Sequence, residues 1–289
     1  MPNGIIIIDK PQDWTSMDVC AKLRGVFHEK RVGHAGTLDP MATGVLPVFV
    51  GRATRAVSLA PDNEKEYIAT LKLGVVTNTQ DIWGEIREKK PVPADAGDRL
   101  KSLLPQFTGE IGQIPPMYSA VKVNGKKLYE LARKGVEVER KLRTVTIHAL
   151  EVSPAGAPDI LSLRVRCSKG TYIRTLCHDM GQALGCGGCM AALRRTVACG
   201  FSLGGAHALE EVLNHPDPAA LLLPVDSLFA DRLRLTLTAR QAERLCHGGS
   251  FSTPAQPGEY RAYGPDGVFL ALCRVSDGTL STIKSFFEV

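Results

Sequence analysis

The chain of 289 residues lacks the common cofactor signatures. No GxGxxG fingerprint follows a strand-like run, no phosphate-gripping P-loop is present, and no HExxH pair offers itself to zinc. Any chemistry is therefore expected from side chains alone, without cofactor or metal. Long apolar runs are missing too. Ile5-Ile6-Ile7-Ile8 stops at Asp9 and Lys10, far short of the roughly 20 residues a helical membrane span needs, and it is too short for a secretory leader. It reads as a buried strand, and cytoplasmic residence without membrane attachment is the expectation. Eight cysteines show no disulfide framework. Cys186-Gly187-Gly188-Cys189 has no second pair at zinc-finger spacing, so reduced free thiols are expected. Internal repeats, low-complexity tracts and charge blocks are also absent.

The chain is 44% hydrophobic and 22% charged, enough apolar material for a sizeable core. Strand signals lie at 4–8, 45–50, 67–73, 145–152 and 161–167, with alternation at 67–73 and, most strictly, at 161–167. A helix capped by Thr15 or Ser16 places Val19, Leu23, Val26 and Phe27 on one face. A second follows Thr171, with Leu176, Met180 and Leu184 inside and Gly185 as its stop. Shorter helices are read at about 98–104, 128–134 and 208–214. Beyond about residue 230 the pattern becomes strand, helix Ala239–Cys246 capped by Thr238, then three strands. That tail reads as a small β-rich module.

Two features point to chemistry. The loop Gly33-His34-Ala35-Gly36-Thr37-Leu38-Asp39-Pro40 sets a carboxylate five residues after an imidazole, and its glycines permit close approach of backbone to another molecule. Pro40 biases Asp39 towards extended geometry. An Asp beside the apolar run 45–50 needs a partner, because unpaired buried carboxylates are costly. Taken singly, Asp39-Pro40 is more often a turn carboxylate. The second feature is charge. Residues 122–143 hold eight basic and three acidic side chains, a local excess of +5 equal to that of the whole chain. Such a stripe suits a phosphate backbone as well as it suits plain solvent.

Six blocks in order carry a resemblance. They are Ile8-Asp9-Lys10-Pro11, the run from Gly33 to Gly51, Lys65-Glu66-Tyr67, Gln113 to Lys122, Lys169 to Thr175, and Leu193-Arg194-Arg195-Thr196. Together they resemble the TruB family of tRNA pseudouridine-55 synthases. The resemblance implies a mixed α/β catalytic domain over residues 1–229, built on a central mixed sheet, and a PUA-like RNA-binding domain over 230–289. It implies isomerisation of a flipped-out uridine in the tRNA T-loop, no obligate protein partner and a monomer.

Position by position, the resemblance puts Asp39 on the essential aspartate and Tyr67 on the tyrosine stacked against the base. Arg174 falls on the arginine that pairs with the aspartate, Tyr172 on a second site tyrosine, and Leu193 on a pocket-lining apolar residue. His34 falls on a histidine that meets the RNA where the base leaves. Lys10, Lys126, Lys127 and Lys134 are candidate contacts to the RNA backbone. Asp81 matches an acidic position near the site but reads equally as a turn residue, and it stays outside the catalytic set. The reaction breaks N1–C1′ and forms C5–C1′. A carboxylate serves by attacking C6 or C1′, or by removing a 2′ proton, and the residues do not choose among these. A guide-RNA-dependent enzyme of the same family and an RNA-remodelling protein without chemistry are the alternatives. The long 112–143 segment and the short tail without a basic extension favour the stand-alone type.

Overall fold

The computed structural model describes residues 2–61 and 64–287. Its main layer is a mixed ten-stranded sheet. Across the sheet the order is His207–Ala208, Gly4–Lys10, Thr43–Val50, Gly188–Ala198, Lys65–Leu73, Ala157–Cys167, Arg143–Ala155 and Gly109–Gln113. Val32–His34 pairs with the Thr43–Val50 strand, and Phe201–Ser202 with the Gly188–Ala198 strand. Most neighbours are antiparallel. The parallel joins are Gly4–Lys10 with His207–Ala208 and Thr43–Val50 with Gly188–Ala198. The expected mixed sheet is thus present.

The isoleucine run is unbroken because this strand is covered on both faces, as continuous apolar strands generally are. Ile6 and Ile8 enter the main core, together with Leu23 of the helix Ser16–Phe27, Leu100 of Ala96–Leu103, and Leu176 and Met180 of Ile173–Ala183. Ile5 and Ile7 point the other way, into a second cluster with Phe49, Phe229, Leu272 and Phe286. In the Lys65–Leu73 strand, Tyr67, Ala69, Leu71 and Leu73 are buried and alternate with more exposed residues, which fixes register.

The helix starting at Ser16 carries a full capping box. Thr15 accepts from the Asp18 amide, and the Asp18 carboxylate accepts from the Thr15 amide.

The C-terminal segment forms a five-stranded sheet ordered Leu233–Thr236, Gly258–Tyr263, Phe269–Ser276, Thr279–Ser285 and Phe251–Ser252. Helix Ala239–Cys246 starts at Thr238, as its capping residues foretell. Phe269 and Phe286 stack at 5.3 Å, and Phe229 leans on both. These rings share the cluster holding Ile5, Ile7 and Phe49, so the two sheets are joined by a common apolar seam.

One central strand escapes the sequence reading. Gly188–Ala198 pairs with Lys65–Leu73 over nearly its whole length. Its glycine start and its Arg194-Arg195-Thr196 end hide the alternation, and bulges near Ala191 and Thr196 shift it. Among the described residues no helix is long and apolar enough to cross a membrane.

Candidate active site

The Asp39 loop is pegged from below. Its neighbours Leu38 and Met41 are buried in the main core. Ser16 Oγ accepts from the Leu38 amide at 2.9 Å and donates to its carbonyl at 3.2 Å. The Pro40 carbonyl accepts from the Asp13 amide at 2.9 Å and from Lys10 Nζ at 3.3 Å. Asp39 is therefore presented on a rigid loop. Its side chain remains 43% exposed, open to an incoming molecule. The sequence suggested a buried carboxylate here; the loop instead buries the two apolar neighbours and leaves Asp39 at the surface of the cleft.

The buried carboxylate is Asp81, only 10% exposed. Both acids meet at Arg174, the second residue of helix Ile173–Ala183, whose side chain is 8% exposed. Nη2 lies 3.1 Å from Asp39 Oδ2, and Nη1 lies 3.2 Å from Asp81 Oδ2. Nη1 also donates to the Thr79 carbonyl at 3.2 Å, and Nη2 to the Tyr118 carbonyl at 2.9 Å. The fork expected to clamp Asp39 alone is split between two carboxylates. Arg174 is no surface residue at a helix start. It ties together the Asp39 loop, the Asp81 turn and the root of the basic 122–143 segment.

Asp81 itself is held on its other oxygen, which accepts from Thr79 Oγ1 at 2.8 Å and from the Trp83 amide at 3.1 Å. Sequence reasoning left Asp81 out of the site. The available signal was its match to an acidic position near the active site. Its turn-like neighbourhood, Thr79 to Gly84, concealed that the side chain faces inward.

Tyr67 is buried in the Lys65–Leu73 strand, opposite Val165 on one side and Arg195 on the other. Leu193 is also buried, in register with Ala69 on the adjoining strand. Both belong to the main core cluster that also holds Leu38, Met41 and Ile173. Tyr172 is placed through its backbone. Gln113, itself buried, accepts from the Tyr172 amide at 3.0 Å and donates to its carbonyl at 3.3 Å.

His34 ends the Val32–His34 strand and lines a hollow of about 690 Å³ together with Gly36, Lys169, Phe201 and Arg232. Asp39 does not line that hollow. Burial and the nearby Arg195 charge hold the imidazole pKa below its ordinary value, so His34 is neutral at pH 7. Arg195 is fully buried and donates to the Val45 carbonyl at 2.8 Å and the Gly36 carbonyl at 2.9 Å. Two glycines make room for it. A Cβ on Gly44, where φ is +102°, would sit 2.1 Å from the Arg195 carbonyl oxygen. One on Gly36, where φ is +70°, would sit 3.2 Å from Arg195 Nη1.

Lys10 does not serve as a backbone contact for RNA. It is fully buried, and its ammonium donates to the carbonyls of Pro11 at 2.9 Å, Trp14 at 2.6 Å and Pro40 at 3.3 Å. Burial lowers its pKa to about 8. Its place is under the Asp39 loop. Lys126 and Lys134 are exposed, while Lys127 is half-buried with its ammonium 5.5 Å from the Tyr129 ring. A small hairpin, Lys122–Val123 with Lys126–Lys127, presents part of the basic stripe. The cysteines are free thiols, and all but Cys246 are buried.

A carboxylate on a pegged loop, a buried arginine shared with a second acid, and a basic arm whose root touches that arginine make up the candidate site. Comparison with known proteins specifies the class. Residues 24–173 match the model of the TruB family pseudouridylate synthase N-terminal domain. Residues 174–230 match the tRNA pseudouridylate synthase B C-terminal domain, and 233–287 the tRNA pseudouridine synthase II C-terminal model. The chain belongs to the TruB family of pseudouridylate synthases.

It is 42% identical to the tRNA pseudouridine synthase B of Francisella tularensis subsp. novicida, over 99% of this chain and 95% of that protein. The enzyme of the same name from Francisella philomiragia is also 42% identical over the same shares. Among solved structures, a Cbf5-Nop10-Gar1 complex superposes with a TM-score of 0.73 at 25% identity, covering 98% of this chain and 85% of that one. An H/ACA RNP bound to a substrate RNA containing 2′-deoxyuridine gives 0.72 at 23% identity, over 99% and 85%, a likeness of fold.

Proposed function

We propose that this chain isomerises uridine 55 in the tRNA T-loop to pseudouridine, acting alone, in the cytoplasm and as a monomer. The single observation that carries the reading is the half-exposed Asp39 held by the buried Arg174 in a TruB-family chain. Asp39 is the nucleophile or base. It attacks C6 or C1′, or takes a 2′ proton; in each route N1–C1′ breaks, the uracil turns and C5–C1′ forms. The proton lost from C5 and the one gained at N1 balance, so no cofactor is consumed. Arg174 orients the carboxylate through one nitrogen, while Asp81 fixes the guanidinium through the other. Tyr67 and Leu193 receive the base, Tyr172 borders it, and neutral His34 fills the stack it leaves. Extruding a base costs a few kcal/mol, which such packing offsets in part.

Lys126, Lys127 and Lys134 grip phosphates. Residues 1–229 are the catalytic unit and 230–289 a PUA-like RNA-binding unit, meeting at the apolar seam around Phe49, Phe229 and Phe286. The guide-RNA-dependent alternative has less support, since relatives named tRNA pseudouridine synthase B are 42% identical and the chain of the Cbf5-Nop10-Gar1 complex 25%.

The test is the purified chain with an unmodified tRNA transcript, with no other RNA or protein. Pseudouridine at position 55 alone, lost on changing that uridine, is the expected result. Activity only with an added guide RNA would favour the alternative. Binding without conversion would remove the enzymatic reading.

A further inference from the structure

Trp83 enters the site as described only through its backbone amide, yet the residue is 52% exposed two positions from Asp81. Ile82 and Ile86 nearby are exposed as well. Three large apolar residues in a stretch of five are thus left exposed by the protein's own packing. The turn that bears them is nevertheless rigid. The Ile82 amide donates to the Met190 carbonyl at 2.9 Å, and the Gly84 amide to the Asp81 carbonyl at 3.2 Å. The Trp83 amide donates to Asp81 Oδ1 at 3.1 Å.

Those bonds anchor the backbone of Trp83 next to the acid that holds Arg174. From Trp83 the path runs to Asp81, across Arg174 to Asp39, each step a direct contact of 3.1–3.2 Å. The Tyr118 carbonyl, at the root of the basic segment, touches the same guanidinium. A polyanion lying on the basic segment and placing one nucleotide at Asp39 therefore runs close to the turn that carries the exposed Trp83. That charge argues against a second copy of this chain, which would bring the same local +5 to the same place. Single-stranded RNA loops offer unpaired bases, and these are commonly held by stacking on aromatic rings.

We propose that Trp83 is a stacking platform for an unpaired base of the RNA substrate, adjacent to the nucleotide that enters at Asp39. The inference rests on the RNA-modifying reading above and adds a positioning residue to it. Stacking accepts any base, so Trp83 contributes hold and register rather than sequence choice. It does not touch the reacting atoms.

The experiment uses the full chain and the chain's having two tryptophans, Trp14 and Trp83. In a Trp14→Phe, Asp39→Asn background, Trp83 is the sole indole and turnover is blocked. Titration with an unmodified T-arm hairpin is expected to quench Trp83 emission and shield it from acrylamide. In the otherwise wild-type enzyme, Trp83→Ala should raise KM about 5- to 150-fold with kcat within twofold, the loss of one base–aromatic stack. Trp83→Phe should recover most of that loss, which a merely structural role for the turn would not explain. Unchanged emission on RNA saturation overturns the proposal, as does an unchanged KM in Trp83→Ala. Emission that depends on protein concentration without RNA overturns it in favour of self-association. Pseudouridine formation by the wild type on the same hairpin tests the underlying reading separately. RNA that binds and shields Trp83 without being converted would sink that reading alone.

Discussion

Replacing Arg174 by lysine should separate the stability of this site from its chemistry. The guanidinium sends one nitrogen to Asp81 and the other to Asp39. A lysine ammonium is one point and cannot span both. It will settle on Asp81, because attraction is stronger at the more buried acid, 10% exposed against 43% for Asp39. Removing the cation altogether, in Arg174→Ala, leaves Asp81 buried and unpaired, at a cost of about 3–5 kcal/mol. Arg174→Lys should recover most of that, leaving a deficit of about 1–2 kcal/mol for the lost bonds to the Thr79 and Tyr118 carbonyls. Asp39, however, loses its orienting partner. A misplaced carboxylate should slow single-turnover isomerisation by about 10²–10³-fold, or roughly 3–4 kcal/mol in the barrier. Chemical denaturation measures the first quantity. Release of tritium from C5-labelled uridine, at saturating enzyme, measures the second. A lysine variant within threefold of the wild-type rate would refute the orienting role of Arg174. A lysine variant as unstable as the alanine variant would refute the preference for Asp81.

Asp39→Asn should abolish isomerisation with tRNA affinity within about tenfold, and should cost under about 1 kcal/mol of stability because the pair it breaks is half exposed and screened; pseudouridine formed by a clean preparation would take Asp39 out of the mechanism. Lys10→Met removes the donor to three carbonyls and should destabilise the fold by about 1–3 kcal/mol while loosening the Asp39 loop. The wild type should also gain stability from Lys10 as pH rises from about 8 towards 10.5, since the unfolded chain then holds the extra proton; the Met variant should lack that rise in pH-dependent denaturation. His34, followed by NMR, should titrate below its ordinary value, so its contribution to stability is complete above pH 6.5 and is lost as pH falls through the folded pKa; a titration above 6.5 would contradict its buried setting beside Arg195. Changing Lys126, Lys127 and Lys134 together to alanine should raise KM and flatten the salt dependence of binding by roughly 0.7–0.9 per lost contact in log–log slope, with the saturated single-turnover rate retained; an unchanged slope would leave these lysines merely solvated.

What could be read from the chain alone was whatever neighbouring residues decide. Thr15 and Asp18, or Thr238 and Gln241, close a helix start through bonds three residues apart, and both helices begin where those residues say. Alternation in 65–73 marks a half-buried strand because side chains of a strand point to opposite faces. Six short blocks kept in order, the Asp39 loop among them, carry the family resemblance. Tertiary structure decided the rest, because the deciding contacts join distant segments. Arg174 and Asp81 stand 93 positions apart, and nothing near either residue tells that the arginine is divided between two acids. Lys10 reads as a polar strand end until the Trp14 and Pro40 carbonyls close over it. The Gly188–Ala198 strand has weak local signals and exists through its pairing with Lys65–Leu73, where hydrogen bonds and a shared core outweigh propensity. The loop drew notice to Asp39 and the resemblance made it the catalytic candidate; only the packing of remote strands set which charges face it and which are buried.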